Sequence, residues 1–600
     1  MSPRKAATPQ PSEEIGGGVS ASPEPDTQSD TSGHKDGDTR MENSSRQDEE
    51  DEAVKLPGSA PAPSAVPAPP AFVPKPPLIA LGYMLASLIV ALTQGLGLSF
   101  LTVNLQQVAG PLGVTTNEAA WLMAAYVFPN ASLGLFLFKI RAQYGIRNFA
   151  EIAIVIYVLV SIAHLWANDF TSAMILRFFA GAAAAPLSSL AFLYMIEVFP
   201  PQQKLTIGQA LALTAIALPT PVAGLLSPGL LDLGDWATFN MLELGLSLIS
   251  LAFIYLLPLT AAPRMKVMQW MDYVSFTFLA ISMGCFAAAL TLGRLYWWTE
   301  APWLGWMMAV GVASGMICAV IELNRRNHLI DIRWITSREI IHFAGILLLF
   351  RILLSEQSSG AINMLRQLGL LNDQLQGLYW VILLGSLGAG AFCAWLSRPG
   401  RAEIIHATSL LLLAIGSYMD SHSTVLTRPE QMYFSQFLVS FAMGLFLPPA
   451  MAVGFAAALQ RGLVYILSFL AVFLATQKVG GYLGSALFGS FVTWREQFHS
   501  FRIISRLNPT DPMLTARLQQ YGAAFARVTQ DGNLRSIQGA SQLSKLIQSQ
   551  AYVLAYNDAF LMTSIMALIA LACLCVHMAW RHRPLFLKPR SAATPVAVNS

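Results

Sequence analysis

Between about residues 78 and 579 the chain is a succession of apolar runs, each near 20 residues long. A helix rising about 1.5 Å per residue needs about 20 residues to cross roughly 30 Å of hydrocarbon. The runs place fourteen spans at about 78–101, 118–138, 149–167, 171–195, 205–230, 237–258, 270–291, 302–322, 340–363, 377–396, 403–420, 433–457, 463–491 and 555–579. Most are apolar all round, as helices are when lipid or other helices surround them. In lipid each backbone N–H and C=O needs a partner within the segment, so the expected class is an all-α membrane protein. Composition agrees, with 54% hydrophobic and 12% charged residues, where soluble domains carry about 25% charged residues.

The net charge of +3 conceals an asymmetry. Residues 1–74 hold thirteen acidic and six basic residues, so the remaining body, with 31 basic and 21 acidic, is +10. The excess is ordered by topology, which argues against a nucleic-acid partner. Thirteen basic residues fall in the even-numbered connections: Lys139, Arg141, Arg147, Lys204, Arg264, Lys266, Arg325, Arg326, Arg333, Arg338, Arg398, Arg401 and Arg461. The odd-numbered short connections hold only Arg294, Arg366 and Arg428. The positive-inside rule then predicts both termini in the cytoplasm, in line with the basic tail Arg581, Arg583, Lys588 and Arg590.

Residues 1–74 are rich in Pro, Ser, Gly, Asp and Glu and are expected to be a disordered cytoplasmic tail. No apolar core closely follows Met1, so no signal peptide is expected. The connection 492–554 is long, and long segments escape the charge rule. Within it Asp511-Pro512 reads as a helix start, followed by Leu514, Leu518, Tyr521 and Phe525 at helical spacing. A second helix is expected from about Ser541 into the last span. The five cysteines all lie in apolar runs, without disulfide or zinc spacing.

Local patterns along residues 95–580 resemble the fourteen-spanner drug:proton antiporter branch (EmrB/QacA-like) of the major facilitator superfamily. They begin with Asn104 at the end of the first span and Trp121 to Tyr126 opening the second. Gly145 and Arg147 stand in the second-to-third loop. Arg177-Phe-Phe-Ala-Gly181 lies in the fourth span and Pro219-Thr-Pro221-Val-Ala-Gly224 in the fifth. Met271-Asp272 opens the seventh, and Leu329-Ile-Asp331-Ile-Arg333 follows the eighth. Gly480, Gly481 and Gly484 lie in the thirteenth, and Tyr556-Asn-Asp558-Ala-Phe560 in the last. The resemblance implies two six-helix bundles, 75–258 and 340–580, with two extra helices within 259–339. It also implies alternating access and proton-driven efflux of drug-like or amphipathic compounds across the inner membrane. A periplasmic adaptor and an outer-membrane channel are implied as partners.

The departures from the family pattern are specific. Phe138 and Ala142 replace a Gly and an Asp of the second-to-third loop, and Ser99 stands where the first span often has Asp. Thr220 replaces Gly before Pro221, Glu243 replaces Asn, and Gln477-Lys478 replaces Arg-Gln.

An ionisable group at bilayer depth costs about 2.5–3.5 kcal/mol on insertion scales. Five such groups are counted: Arg177, Glu243, Arg351, Glu356 and Lys478. Arg177 and Glu243 lie at equal depth from the same side and are expected either to switch with protonation or to form a static pair. Glu243, Glu356 and Arg177 are therefore the candidates for proton coupling. Arg351 and Glu356 are five residues apart, so they face different ways. Arg351, Gln357, Asn363 and Lys478, with the mid-span amides Gln94 and Asn130, are the candidates for the cavity. The prolines at 219, 221 and 228 are expected to bend the fifth span. The sequence has no His-Glu-x-x-His, Gly-x-Ser-x-Gly or nucleotide-loop motif. An enzyme, a metal or other cofactor, and an ATP-driven pump are therefore not expected. A facilitator of an organic anion and a sensor that no longer transports are the alternatives.

Overall fold

The computed structural model describes residues 74–586, apart from 235–236, 261–263, 265, 326, 397–399 and 509. The expected tail at 1–74 thus falls, but for Pro74, outside the described residues, as does most of the C-terminal tail.

Every regular element among the described residues is helical. The first four spans are α1 (Pro77–Val103), α2 (Thr116–Tyr144), α3 (Ile146–Ala163) and α4 (Phe170–Glu197). The fifth is interrupted at Leu218 into α5 (Gln209–Ala217) and α6 (Pro219–Gly234). Pro219 and Pro221 cannot donate backbone hydrogen bonds, so the ladder breaks there. The sixth to eighth are α7 (Ala237–Leu256), α8 (Trp270–Tyr296) and α9 (Pro302–Leu323). The ninth is not one rod but α10 (Arg338–Leu353), α11 (Glu356–Ser359) and α12 (Ala361–Gln367). The rest are α13 (Gln376–Leu396), α14 (Ala402–Asp420), α15 (Tyr433–Arg461), α16 (Leu463–Ile504), α17 (Pro512–Ala523) and α18 (Gly532–Phe586).

Twelve helices among the described residues are long and apolar enough to cross a membrane. The other two expected spans are the broken α10–α12 and the long α16, which carries Gln477 and Lys478 in mid-helix. Together they match the fourteen runs of the sequence.

Boundaries differ in two places. Helix α2 runs on to Tyr144, so Lys139 and Arg141 occupy its last turns rather than a loop. The connection 492–554 is mostly helix: α16 continues to Ile504 and α18 starts at Gly532, earlier than expected. Between them α17 starts where expected, with the Asp511 carboxylate accepting from the Met513 N–H at 2.8 Å.

Helix α1 packs against α4, α6 and α7, and α2 against α4. In the second half α13 and α14 pack on α15, while α16 and α14 pack on α18. The extra helix α8 lies against α9, α2 and α16. The two halves meet where α5 and α6 pack against α13, and α2 against α16. At the end bearing the odd-numbered connections (the odd face), one apolar cluster joins both halves through Phe100, Val103, Phe239, Leu365, Tyr379 and Phe560.

Candidate functional site

Among the described residues the ionisable groups expected at bilayer depth fall into four assemblies. In the first, α1, α3, α4 and α7 surround Arg177 and Glu243, which are 2% and 3% exposed. Arg177 Nη1 lies 3.4 Å from Glu243 Oε2, and its Nη2 donates to Asn240 Oδ1 at 3.0 Å. The Tyr157 hydroxyl lies 2.7 Å from both Glu243 Oε1 and the Thr93 carbonyl. The two side chains that the sequence could place only at equal depth therefore meet, and Asn240 and Tyr157 partner the pair as well. Gly97 makes room for it, because a Cβ there would come within 2.9 Å of Glu243 Oε1.

The second assembly bridges the halves at Lys478. Its Nζ donates to the carbonyl of Asn130 and, at 2.7 Å, to Asn130 Oδ1. Asn130 Nδ2 donates in turn to the Gly181 carbonyl at 3.0 Å. Gly181 is dictated by packing: a Cβ there would overlap the Tyr126 carbonyl of α2. The Tyr126 hydroxyl meets the Gln94 carbonyl at 2.8 Å, so Gln94 enters through its backbone.

The third lies against a cavity of about 50 Å³ between α5 and the helices α10, α13, α15 and α16. Arg351, Gln477, Thr214 and Ser386 are its polar lining. Arg351 Nε donates to the Gln477 carbonyl at 3.3 Å, and the side chain lies over Gly480 and Gly481. Gln477 Nε2 is buried without an acceptor. Among the described residues no carboxylate pairs with Arg351 or Lys478.

The fourth surrounds Glu356, which is fully buried in α11. Its Oε2 accepts from the Ser417 hydroxyl of α14. One turn further on, Asp420 is 2% exposed. It accepts from Ser435 and, at 2.7 Å, from Gln436 Nε2 of α15. Counting along the sequence put Asp420 at the water boundary and so passed over it. The signal was Ser417-x-x-Asp420, two polar groups on one helical face.

The remaining candidates are dispersed. Gln357 has a buried Oε1 without a partner, and Asn363 on α12 donates back across the break to the Ser359 carbonyl of α11 at 3.3 Å. Arg147 is exposed and pairs with Glu151 at 2.8 Å. Gly145 adopts φ +85° between α2 and α3, and Gly484 lies against Ser355. Trp121 Nε1 donates to the Tyr296 hydroxyl at 3.3 Å, which ties α2 to α8.

Two interfaces close the ends. On the odd face Asn104 Nδ2 donates to Ser227 Oγ at 2.7 Å, and Asn372 Nδ2 to Asn104 Oδ1 at 2.6 Å. Arg366 Nη2 joins Asn372 Oδ1 at 3.0 Å to the Tyr379 hydroxyl at 2.9 Å. Gly224 lies under the Tyr379 ring, where a Cβ would not fit, and Pro221 lies in the same helix, α6. On the even face Gln209 Nε2 donates to the Pro448 carbonyl at 2.6 Å. There Asp272 also binds Lys139 at 2.9 Å and Arg325 at 2.7 Å. A carboxylate at the start of α8 thus grips the end of α2, near the position where Ala142 replaces the family's loop Asp.

The family model described as Major Facilitator Superfamily matches residues 87–272. The multidrug export protein EmrB of Haemophilus influenzae is 21% identical over 480 residues, covering 76% of this chain and 88% of that protein. The human organic anion transporter MFSD10 (TETRAN) superposes with a TM-score of 0.50 at 13% identity, covering 82% of this chain and all of that one. Its fold likeness spans both halves of the helical body, and the EmrB match runs through most of the same residues. In its ordered motifs and multi-pass helical architecture, the chain is thus similar to members of the major facilitator superfamily, whose model matches within its first half.

Proposed function

We propose that the protein is a secondary active transporter that exports drug-like or amphipathic compounds, driven by proton entry, by alternating access. The observation that carries this is the cavity between the two halves, polar at Arg351 and Gln477 and apolar at Leu213, Leu354, Met443 and Leu447. A site with both characters suits an amphipathic solute. Interrupted helices border it, and in transporters these let one bundle rock against the other. Buried carboxylates at Glu243 and Glu356 supply groups that could exchange the driving proton. The similarity to EmrB supports the same assignment. The protein then lies in the inner membrane with both termini cytoplasmic and the odd face outside. An adaptor protein would dock on that outer side.

The test is export of ethidium from cells stripped of their own pumps, with and without an uncoupler, then accumulation in proteoliposomes under an imposed pH gradient. Expression should lower cellular ethidium, and the uncoupler should abolish the difference. Export that persists with the uncoupler would sink proton coupling.

A second reading, transport of an organic anion, is favoured by one observation. Arg351 and Lys478 lack a carboxylate partner among the described residues, and Gln477 Nε2 lacks an acceptor. Cations without a carboxylate partner, beside an amide donor without an acceptor, suit a carboxylate or sulfonate. Uptake of fluorescein into the same vesicles separates the two readings.

A further inference from the structure

The four carboxylate oxygens of Glu356 and Asp420 are not equivalent. Both Asp420 oxygens accept, one from Ser435 Oγ and the other from Gln436 Nε2. Glu356 Oε2 accepts from Ser417 Oγ. Glu356 Oε1 is buried and has no donor, and so is Gln436 Oε1 on the amide that binds Asp420. The nest is therefore short of hydrogen-bond donors. Among the described residues no cation pairs with either carboxylate, and Arg366 on the adjoining α12 turns to Asn372 and Tyr379. Arg351 on α10 turns to Gln477, and Lys478 on α16 turns to Asn130. On α18 the nearest ionised group along the chain, Asp558, is occupied by Arg495 and His499. Helix α15 brings Ser435 and Gln436, both uncharged. Two negative charges out of water with no cation between them repel strongly, and an unmatched acceptor costs about 1–3 kcal/mol.

We propose that Glu356 and Asp420 form a buried acid pair that binds one exchangeable proton, carried on Glu356 Oε1. Binding forms an O–H bond from a proton of water; release breaks it heterolytically and returns the proton to water. The bound proton removes one of the two charges and supplies the missing donor. Glu243 differs in each respect, since Arg177 balances its charge and both of its oxygens are partnered. Use of this proton to drive transport rests on the antiporter reading above; its binding does not.

The experiment is infrared difference spectroscopy of the purified full-length protein across a pH jump, read at the C=O stretch of a protonated carboxylic acid. The wild type should show one such band that grows as the solution is acidified. Glu356→Gln should lose it. Asp420→Asn should keep it but need more acid, because the repelling neighbour is gone; this variant decides the matter if Glu356→Gln fails to fold. A full-sized band in Glu356→Gln, an unchanged midpoint in Asp420→Asn, or no titrating band in the wild type would overturn the proposal. So would loss of the band on adding Na⁺ at constant pH, which would make the occupant a metal cation. If the band behaves as expected while wild-type vesicles fail to accumulate substrate in a pH gradient, the antiporter reading fails and the proton site stands.

Discussion

Arg177 and Glu243 illustrate how a residue tolerated in one company becomes a liability in another. Removing one partner of a buried ion pair leaves the other charge without compensation, at a cost of about 3–5 kcal/mol. Glu243→Gln and Arg177→Gln should therefore each lower the thermal unfolding temperature in detergent. The double variant should be more stable than either single one if the pair is a static brace. A double variant destabilised by the sum of the two single effects would mean that the pair does not act as a unit. Gly181 allows a second test at this scale. Its missing Cβ is what lets α4 approach the Tyr126 carbonyl, so Gly181→Ala should cost about 1–3 kcal/mol through overpacking, measured by the same unfolding assay.

At the scale of elements, the broken helices matter most. The ninth span reads in sequence as one apolar run with a polar outer half, and its ends were legible. That it splits at Ser355 and Gly360 was not, because no proline marks the breaks. At Gly360 the chain passes close to α18, where a Cβ would meet the Phe560 ring at 2.8 Å. The halves are tied on the odd face by Asn104 and Asn372, bonded at 2.6 Å. A hydrogen bond of this kind contributes about 0.5–1.5 kcal/mol net. Asn372→Ala should then raise the open population on that face by up to roughly tenfold. A cysteine replacing Leu365, buried in the odd-face cluster, reports this by its rate of reaction with a membrane-impermeant maleimide in a variant lacking the native thiols. An unchanged rate would show that the apolar cluster alone holds the face shut.

For the whole molecule, topology and the terminal tail make the predictions. Cysteines replacing Asp531 and Ser591 in the thiol-free variant should label differently in intact cells. The first should react from outside and the second should not, as the alternating Lys/Arg count requires. The reverse pattern would overturn the orientation. Deleting residues 2–70 should leave insertion and basal transport nearly intact, because their composition offers no apolar core to lose. Loss of folded, membrane-inserted protein on deletion would refute this.

By itself the sequence determined the solvent, the helical class, the number and approximate limits of the spans, and which side chains needed a reason to lie in lipid. Those follow from local quantities: the length of an apolar run, the cost of a charge in hydrocarbon, and the alternation of basic loops. Only the tertiary structure decided who meets whom. Equal depth made contact between Arg177 and Glu243 conceivable, but the direction each helix faces around its axis settled it. Asn130 and Lys478 lie 348 residues apart, and nothing local links them. Asp420 looked like a residue at the water boundary until α15 covered it with Ser435 and Gln436. Burial depth along one helix can be counted from the sequence, whereas burial by a neighbouring helix arises only when the chain packs.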